Sequence, residues 1–316
     1  MIFAGNVHYS VNFMNDTTLA TISVSLVTAC LNAGKTIERT LRSIEAQQYP
    51  ALEYIVCDGG STDDTLGIIE RYRHIVTKVI SEKDKNVADA INKGFRHANG
   101  DIFGYLNADD CIEPEALASI ARAFRENPSI DVVTGGCRRV FADGSELITR
   151  VPKHFQRLMS MRNDIEQPST FWRASAHRKA GELDDTFYLA FDWEWWNRLQ
   201  ANGVRFLVIP DVLSIYYFSD DNLTSKGGQR VIDEMYRITK RYGPWGGRIA
   251  DVYRFLFKAF DMRGFYDVPF RKLPLAKQWL FGGALLVLYC IFGRELISSY
   301  NWNWASKQVR GIVWYK

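Results

Sequence analysis

The five cysteines, Cys30, Cys57, Cys111, Cys137 and Cys290, include no C-x-x-C pair. An odd, scattered set excludes a disulfide framework and a zinc knuckle and fits a reducing compartment. The five histidines, His8, His74, His97, His154 and His177, have no metal-ligand spacing. Glycine signatures are missing too. Where a dinucleotide fold would carry G-x-G-x-x-G, the chain reads Ala29-Cys30-Leu31-Asn32-Ala33-Gly34, and Gly34-Lys35-Thr36 is only the tail of a P-loop. There is no Gly-rich, Arg-containing loop of the kind sugar nucleotidyltransferases carry after their first strand. If phosphates bind, a metal rather than a glycine loop holds them. The net charge of +3 is too small for a dedicated nucleic-acid binder. Residues 1–20 lack a basic start and a long apolar run, so they read as a loose leader rather than a signal peptide. The apolar run Trp279 to Phe292 has 14 residues, short of the roughly 20 a bilayer span needs.

What is present is an ordinary globular balance, 47% hydrophobic and 24% charged over 316 residues. That is enough for one large domain or two ordinary ones. The charge is uneven. Residues 228–316 carry 15 Lys and Arg against 6 Asp and Glu, and the rest of the chain carries 24 against 30. The same stretch holds five of the nine tryptophans: Trp245, Trp279, Trp302, Trp304 and Trp314. An acidic body with a basic, aromatic tail predicts two parts in different surroundings. The expected organisation is the leader 1–20, an α/β domain over 21–227 divided near 112, and a helical region over 228–316.

The first hundred residues alternate between strand and helix patterns. Thr21–Thr28 alternates apolar and polar residues and is rich in β-branched side chains, which predicts a strand. Lys35–Gln48 places Ile37, Leu41 and Ile44 on one helical face. Strands are expected at Leu52–Cys57, Val76–Ser81 and Ile102–Leu106. Helices are expected at Thr65–Tyr72, Val87–Ala98 and Pro114–Arg125. Such alternation implies a mainly parallel sheet covered on both faces, and ligands then bind beyond the carboxyl ends of the strands. Three of those ends are polar or acidic: Thr28 to Asn32, Asp58, and Asp109-Asp110. Adjacent carboxylates repel unless a cation or donors compensate. Asp109-Asp110 suits a hard divalent ion such as Mg²⁺ or Mn²⁺, although a solvated turn before the next helix would also account for it. Asp63 and Asp64 read as cap and first-turn acids of the helix that follows.

Two runs carry a more specific resemblance. SVSLVTACLNAGKTIERTLRSIEAQQYPALEYIVCDGGSTDDT and SEKDKNVADAINKGFRHANGDIFGYLNADD resemble the opening of a family 2 glycosyltransferase, over about residues 21–220. The resemblance implies a GT-A fold, a single large α/β/α domain, with a nucleotide-sugar donor and Mn²⁺ or Mg²⁺. Thr28 and Asn32 then fall at the base and ribose pocket, Asp58 on the base and Asp84 on the donor side. Asp89, Asn92, Lys93 and Gly94 fall on the helix backing the donor. Asn107-Ala108-Asp109-Asp110 matches the metal motif, with Asn107 where the family often has Asp, so ribose contact and metal binding fall on Asp109 and Asp110 together. Gln167 to Arg173 resembles the strand facing the acceptor. Phe191-Asp192-Trp193-Glu194 resembles the acidic motif carrying the base, which by position is Asp192. Glu194 competes for that role, but the two lie about 200° apart on a helix, so only one faces the site. Trp193, Trp195 and Trp196 read mainly as core, with one available to stack on a sugar. The implied reaction is an inverting transfer from a nucleotide-diphosphate sugar, UDP first, to an acceptor hydroxyl.

The tail adds a location. Val252, Phe255, Leu256, Ala259 and Phe260 recur at helical spacing with Arg254 and Lys258 between them. Arg271, Lys272 and Lys277 precede the apolar run and Arg294 follows it. Apolar faces flanked by basic and aromatic residues suit an interfacial helix, although a buried core helix is the plainer reading of the run. The expectation is peripheral association with the inner face of the plasma membrane, from a cytoplasmic location. A lipid-linked glycan of surface polysaccharide is the expected acceptor, with no nucleic-acid partner. The competing readings are a nucleotide-sugar-binding protein without catalysis, a membrane-surface scaffold, and a nucleotidyltransferase.

Overall fold

The structure, a computed structural model, describes residues 21–218, 228–259 and 274–292. Residues 1–20, Phe260, Arg271, Lys272, Arg294, Trp302, Trp304 and Trp314 lie outside them.

The expected alternation is present. Strands β1 (Val24–Cys30), β2 (Leu52–Asp58), β3 (Lys78–Ser81) and β4 (Ile102–Tyr105) alternate with helices α1 (Ile37–Glu45), α2 (Thr65–Arg71) and α3 (Val87–Arg96). Then come β5 (Cys111–Ile112), α4 (Ala116–Glu126), β6 (Val132–Val140), β7 (Glu146–Thr149) and α5 (Phe155–Leu158). The body closes with β8 (Thr170–Arg173), α6 (Ala174–Ala180), α7 (Phe191–Ala201) and β9 (Phe206–Tyr217). Beyond it lie α8 (Gly228–Tyr242), α9 (Arg248–Ala259) and α10 (Leu275–Phe292).

All nine strands form one sheet in the order β3-β2-β1-β4-β8-β6-β9-β5, with β7 paired to β6. The expected parallel pairing holds for β3-β2-β1-β4. Beyond β4 the sheet is mixed, since β8 runs antiparallel to both β4 and β6 while β6 and β9 are parallel. No helix intervenes between β4 and β5 or between β6 and β7, so the strand–helix–strand crossovers that keep neighbouring strands parallel are interrupted there.

Side-chain alternation splits the core into two layers. Val24, Leu26, Tyr54 and Val56 pack with Ile37, Leu41 and Ile44 of α1 on one face. Val27, Ile55 and Cys57 pack with Ile91 and Phe95 of α3 on the other, together with Trp172, Trp195 and Trp196. Ser25 and Thr28, the polar positions of the β1 pattern, are also buried, because both sheet faces are covered. Ser25 is satisfied by accepting from the Gly100 amide at 2.8 Å. Fully burying a Leu or Phe side chain stabilises by about 1.5–3 kcal/mol, so these layers hold the strand ends that form the site.

Helix α8 packs on α7 of the body, and α9 packs on α8. Lys240 of α8 pairs with Asp251 of α9 at 2.7 Å, and Tyr236 donates to the same carboxylate at 2.9 Å. Of the expected apolar face of α9, Leu256 is buried but Phe255 is exposed. The run in α10 is not a buried core helix: Phe281 is buried, while Trp279 is 80% and Leu280 66% exposed. Among the described residues, no helix is long and apolar enough to cross a membrane.

Candidate active site

The carboxyl ends of β1, β2 and β3 converge, as the parallel half of the sheet requires. The Gly59 amide donates to the Cys30 carbonyl at 2.9 Å, joining the turns after β1 and β2. Asn32, in the left-handed region with φ 50°, is stitched across the same seam. Its amide donates to Ser61 Oγ at 2.8 Å, and its side-chain oxygen accepts from the Thr62 amide at 2.9 Å. Gly34 donates to Asp63 at 2.9 Å, so Asp63 ties the loops together as well as serving the next helix. Asp84 lies against Gly59, where an added Cβ would come within 3.0 Å of its Oδ2. Lys93 of α3 holds Asp84 at 2.7 Å and Glu82 at 3.0 Å, with Asp89 at 3.7 Å. Burial raises the Asp84 pKa despite Lys93.

Several residues expected in the donor site are occupied structurally. Thr28 is buried and accepts from Tyr54 Oη at 3.0 Å, so it lines no open pocket. Asp58 is 1% exposed and faces its own turn, accepting from the Gly60 and Ser61 amides at 3.2 Å and from Ser81 Oγ at 2.7 Å. Its carboxylate serves as a loop former, the competing property of any Asp in a turn. Asn92 is buried and clamps the Leu183 backbone, donating to its carbonyl and accepting from its amide, both at 2.9 Å. Asp89 is engaged at the start of α3, where it accepts from the Lys85 amide at 3.0 Å and Asn86 accepts from the Asp89 amide at 3.1 Å.

The motif after β4 forms the second cluster. Asp110 is fully buried, so the solvated-turn reading does not hold, and α4 begins only at Ala116 after Glu115 at φ 61°. Asp110 Oδ2 accepts from Asn107 Nδ2 at 3.2 Å, while Oδ1 is buried with no hydrogen-bond partner among the described residues. Gln167 reaches the same place: it donates to the Tyr105 carbonyl at 2.7 Å and accepts from Asn107 at 3.3 Å. The backbone is pinned from α1, with Arg39 donating to the Asp109 carbonyl at 2.9 Å and Thr40 to the Asp110 carbonyl at 2.7 Å. Burial first, then the neighbouring Asp109 and Glu166, push the Asp110 pKa well above the usual carboxylate range; Asp109 is raised by burial too. An orphaned carboxylate oxygen beside a second acid fits a hard divalent cation, which takes one or two protein carboxylates and completes its shell with phosphate and water. Among the described residues no group of three or more His, Cys, Asp or Glu side chains could hold a metal. Asp109 and Asp110 are the side chains that could supply the protein's share of such a shell.

The third component is the start of α7. Asp192 is half-buried and keeps some accessible surface. Its Oδ1 accepts from the Trp193 amide at 2.7 Å and its Oδ2 from Asn163 at 3.4 Å. Burial is the main cause that raises its pKa to about 6, with the charge of Glu234 adding to it and the two donors opposing. Tyr105 links the clusters. Its hydroxyl is buried without a partner, and both Asp192 and Asp110 act on it, adding to a rise in its pKa caused mainly by burial.

Glu194 points elsewhere, as the helical geometry requires. It is fully buried and paired with Arg198 at 2.9 Å and Arg241 at 3.1 Å, and it accepts from Tyr242 at 2.6 Å. It is neither a competing base nor an acceptor contact. Trp193, Trp195 and Trp196 are all buried, so none is free to stack on a sugar, and the Trp193 indole donates to the Met159 carbonyl. Sequence patterns carry no signal for Tyr105, Asn163 or Glu234. Each is a common residue type whose importance comes from a partner distant in the chain.

Comparison with known proteins follows the same lines. Residues 25–180 match the family model described as glycosyl transferase family 2. The poly-beta-1,6-N-acetyl-D-glucosamine synthase of Staphylococcus epidermidis is 28% identical over 211 residues, covering 60% of this chain and 51% of that protein. The chain thus spans about half the length of that relative. Among solved structures, Staphylococcus aureus TarS in complex with UDP-GlcNAc superposes with a TM-score of 0.58 at 17% identity, covering 93% of both chains. The mannosyltransferase PcManGT from Pyrobaculum calidifontis, in complex with GDP-Man and Mn²⁺, gives a TM-score of 0.58 at 18% identity, covering 93% of this chain and 89% of that one. At these identities the structural likeness establishes the fold, a mixed α/β architecture around one central sheet.

Proposed function

The chain belongs to glycosyl transferase family 2, and from that premise we propose that it is an inverting glycosyltransferase. It moves a sugar from a nucleoside-diphosphate donor, UDP-linked in the first instance, to a hydroxyl of a glycan acceptor. The observation that carries this reading is the position of Tyr105: its ring lies 6.1 Å from that of Phe191, next to Asp192, and Gln167 joins its carbonyl to Asn107, which donates to Asp110, so the paired acids and the proposed base lie on either side of one residue.

Asp192 accepts the proton of the acceptor hydroxyl. The oxygen then forms a bond to the anomeric carbon as the bond from that carbon to the diphosphate breaks. The nucleoside diphosphate leaves with the electron pair, and the configuration inverts. A base with a pKa of about 6 is largely ionised at neutral pH and still basic enough to take a proton. Such a positioned base contributes about 10²–10⁴-fold. Asp109 and Asp110 would hold a divalent ion, which when bound offsets the charge that develops on the leaving diphosphate. Asn107 and Gln167 orient Asp110 and the end of β4. The turns carrying Asn32, Gly59 and Asp84 form the rim that receives the nucleoside.

The acceptor reading is a glycan of surface polysaccharide, on a lipid carrier. Its support is the name of the Staphylococcus epidermidis relative together with the exposed apolar surface of α10. In this reading α10 rests on the inner face of the plasma membrane, attracted by a basic C-terminal region at about 1 kcal/mol per basic residue near an anionic surface.

The experiment is thermal stabilisation by UDP, GDP and dTDP, each with Mn²⁺ or with EDTA, for the native chain and for Asp110→Ala. One nucleotide is expected to raise the melting temperature only with metal. At 100 times its dissociation constant it adds about 2.7 kcal/mol. The effect is lost in Asp110→Ala. Stabilisation independent of metal, or retained in Asp110→Ala, would refute the assignment of Asp109 and Asp110. A folded protein that responds to no nucleotide would favour the scaffold reading.

A further inference from the structure

We propose that Glu234 is a positioning residue for Asp192: from α8 it gathers the three backbone amides that lead into α7 and so fixes where the first turn of that helix presents its acid. The inference rests on the reading of Asp192 as the base and deepens it, because it makes a residue outside the family match part of the site.

The N-cap residue of α7 is Ala190, whose side chain has no oxygen to cap with. The amides that lead into the helix, which precede those an N-cap side chain would take, are held from 44 residues further along the chain. Glu234 accepts from the Tyr188 amide at 2.7 Å, from Leu189 at 2.9 Å and from Ala190 at 2.8 Å, and it is only 4% exposed. Hydrogen bonds to a carboxylate are roughly twice as strong as neutral ones. A buried carboxylate would be costly without such donors. Asp192 is two residues beyond the last of these amides, so any displacement of the clamp is passed directly to it.

The rest of the loop is held from two sides, which leaves the clamp to decide its end. On the α3 side, Asn86 donates to the Asp185 carbonyl at 2.7 Å and Arg96 pairs with Glu182 at 2.7 Å. On the α8 side, Arg237 donates to the Thr186 carbonyl at 3.0 Å and to its hydroxyl at 2.7 Å. Arg241 of α8 meets both Asp184, at 3.5 Å, and Glu194 of α7, at 3.1 Å. The helix α8 is therefore seated on α7 by buried charge, and Glu234 lies within that seat.

The clamp also has an electrostatic consequence. Among the described residues, the charged and titratable groups that bear on Asp192 from neighbouring elements include Glu234 of α8 and Tyr105 of β4, and Asn163 contacts it from the preceding loop. Glu234 is the only full charge in this set, and it favours the protonated form of Asp192. One residue thus both orients the base and holds its affinity for the proton up.

The test is the titration of Asp192 read directly. The full chain is labelled with ¹³Cγ-aspartate, and Asp192→Asn identifies the resonance. The native midpoint is expected near the value of about 6. In Glu234→Gln, which removes the charge and leaves one oxygen for three amides, the midpoint falls, as loss of a like charge beside a carboxyl requires. Glu234→Asp keeps the charge and keeps the midpoint near the native one, a rescue that a purely structural role would not produce. An unchanged midpoint in a folded Glu234→Gln overturns the proposal. Should that variant not fold, hydrogen exchange on the native chain decides. The amides of Tyr188, Leu189 and Ala190 are expected to be protected, and exchange at the rate of solvent-open loop amides overturns the clamp. Failure here leaves Asp192 as the base, whereas transfer by Asp192→Asn defeats that reading and not the clamp.

Discussion

Replacing Asp192 by Asn should make the protein inactive and more stable at the same time. The carboxyl is held at a pKa of about 6 against an ordinary 3.8, chiefly by burial. A folded pKa above the unfolded one means that the native state binds the proton more tightly. Stability is then greatest when the group is protonated and falls as pH rises through the window from about 4 to 6. A tenfold difference in proton affinity between the folded and unfolded chain corresponds to about 1.36 kcal/mol. At pH 7 the ionised Asp192 therefore costs about 3 kcal/mol, and at pH 4.5 the same linkage leaves about 1 kcal/mol. Asparagine carries no charge to desolvate. It gives up part of the acceptor capacity that meets the Trp193 amide, worth about 1 kcal/mol. The expected net gain is thus about 2 kcal/mol at pH 7, vanishing near pH 4.5. Urea denaturation of the native chain and of Asp192→Asn at the two pH values measures it. A variant that is less stable at pH 7, or a gain that does not shrink on acidification, would refute the argument.

Two further outcomes follow from the same neighbourhood. Asn163 donates to Asp192 and lowers its pKa, so Asn163→Ala should move the acid limb of kcat/KM to higher pH; a limb that stays in place means the hydrogen bond is not made in solution. Glu194 is fully buried between Arg198 and Arg241, so Glu194→Gln removes the charge-assisted hydrogen bonds to two partly exposed cations and should lose about 1.5–3 kcal/mol of stability in urea unfolding. The kcat per folded molecule in that variant should stay near native at low temperature, and its collapse would make Glu194 a candidate base again.

The sequence made the first half of the fold legible for a physical reason. From β1 to α4, period-two strands and period-3.6 helices alternate, and each buries its face against its sequence neighbour. The two core layers simply sort Val24, Leu26 and Val56 from Val27, Ile55 and Cys57. The mixed half was not legible, because β8 enters between β4 and β6 by contacts that no local pattern announces. In the site, Asp110 and Asp192 stand out by residue type and position. Thr28, Asp58 and Asn92 also have partners within the protein that no sequence pattern announces: the hydroxyl of Tyr54, the turn that Asp58 itself begins, and the backbone of Leu183. Trp193, Trp195 and Trp196 are held within the protein as well, all three in the core. Glu234 escapes notice because an acid in a mainly basic helix acquires meaning only from the three amides it meets.

The most direct measurement of the central claim follows donor binding and sugar transfer side by side in the native chain and in Asp192→Asn. Binding is read by titration calorimetry with the nucleotide that stabilises the protein in the presence of Mn²⁺. Transfer is read as nucleoside diphosphate released from the matching nucleotide sugar. The account predicts that transfer falls by at least about 10²-fold, the contribution of a positioned base, while the dissociation constant stays within a few-fold of native. Equal loss of both, or transfer that persists in the variant, would contradict it.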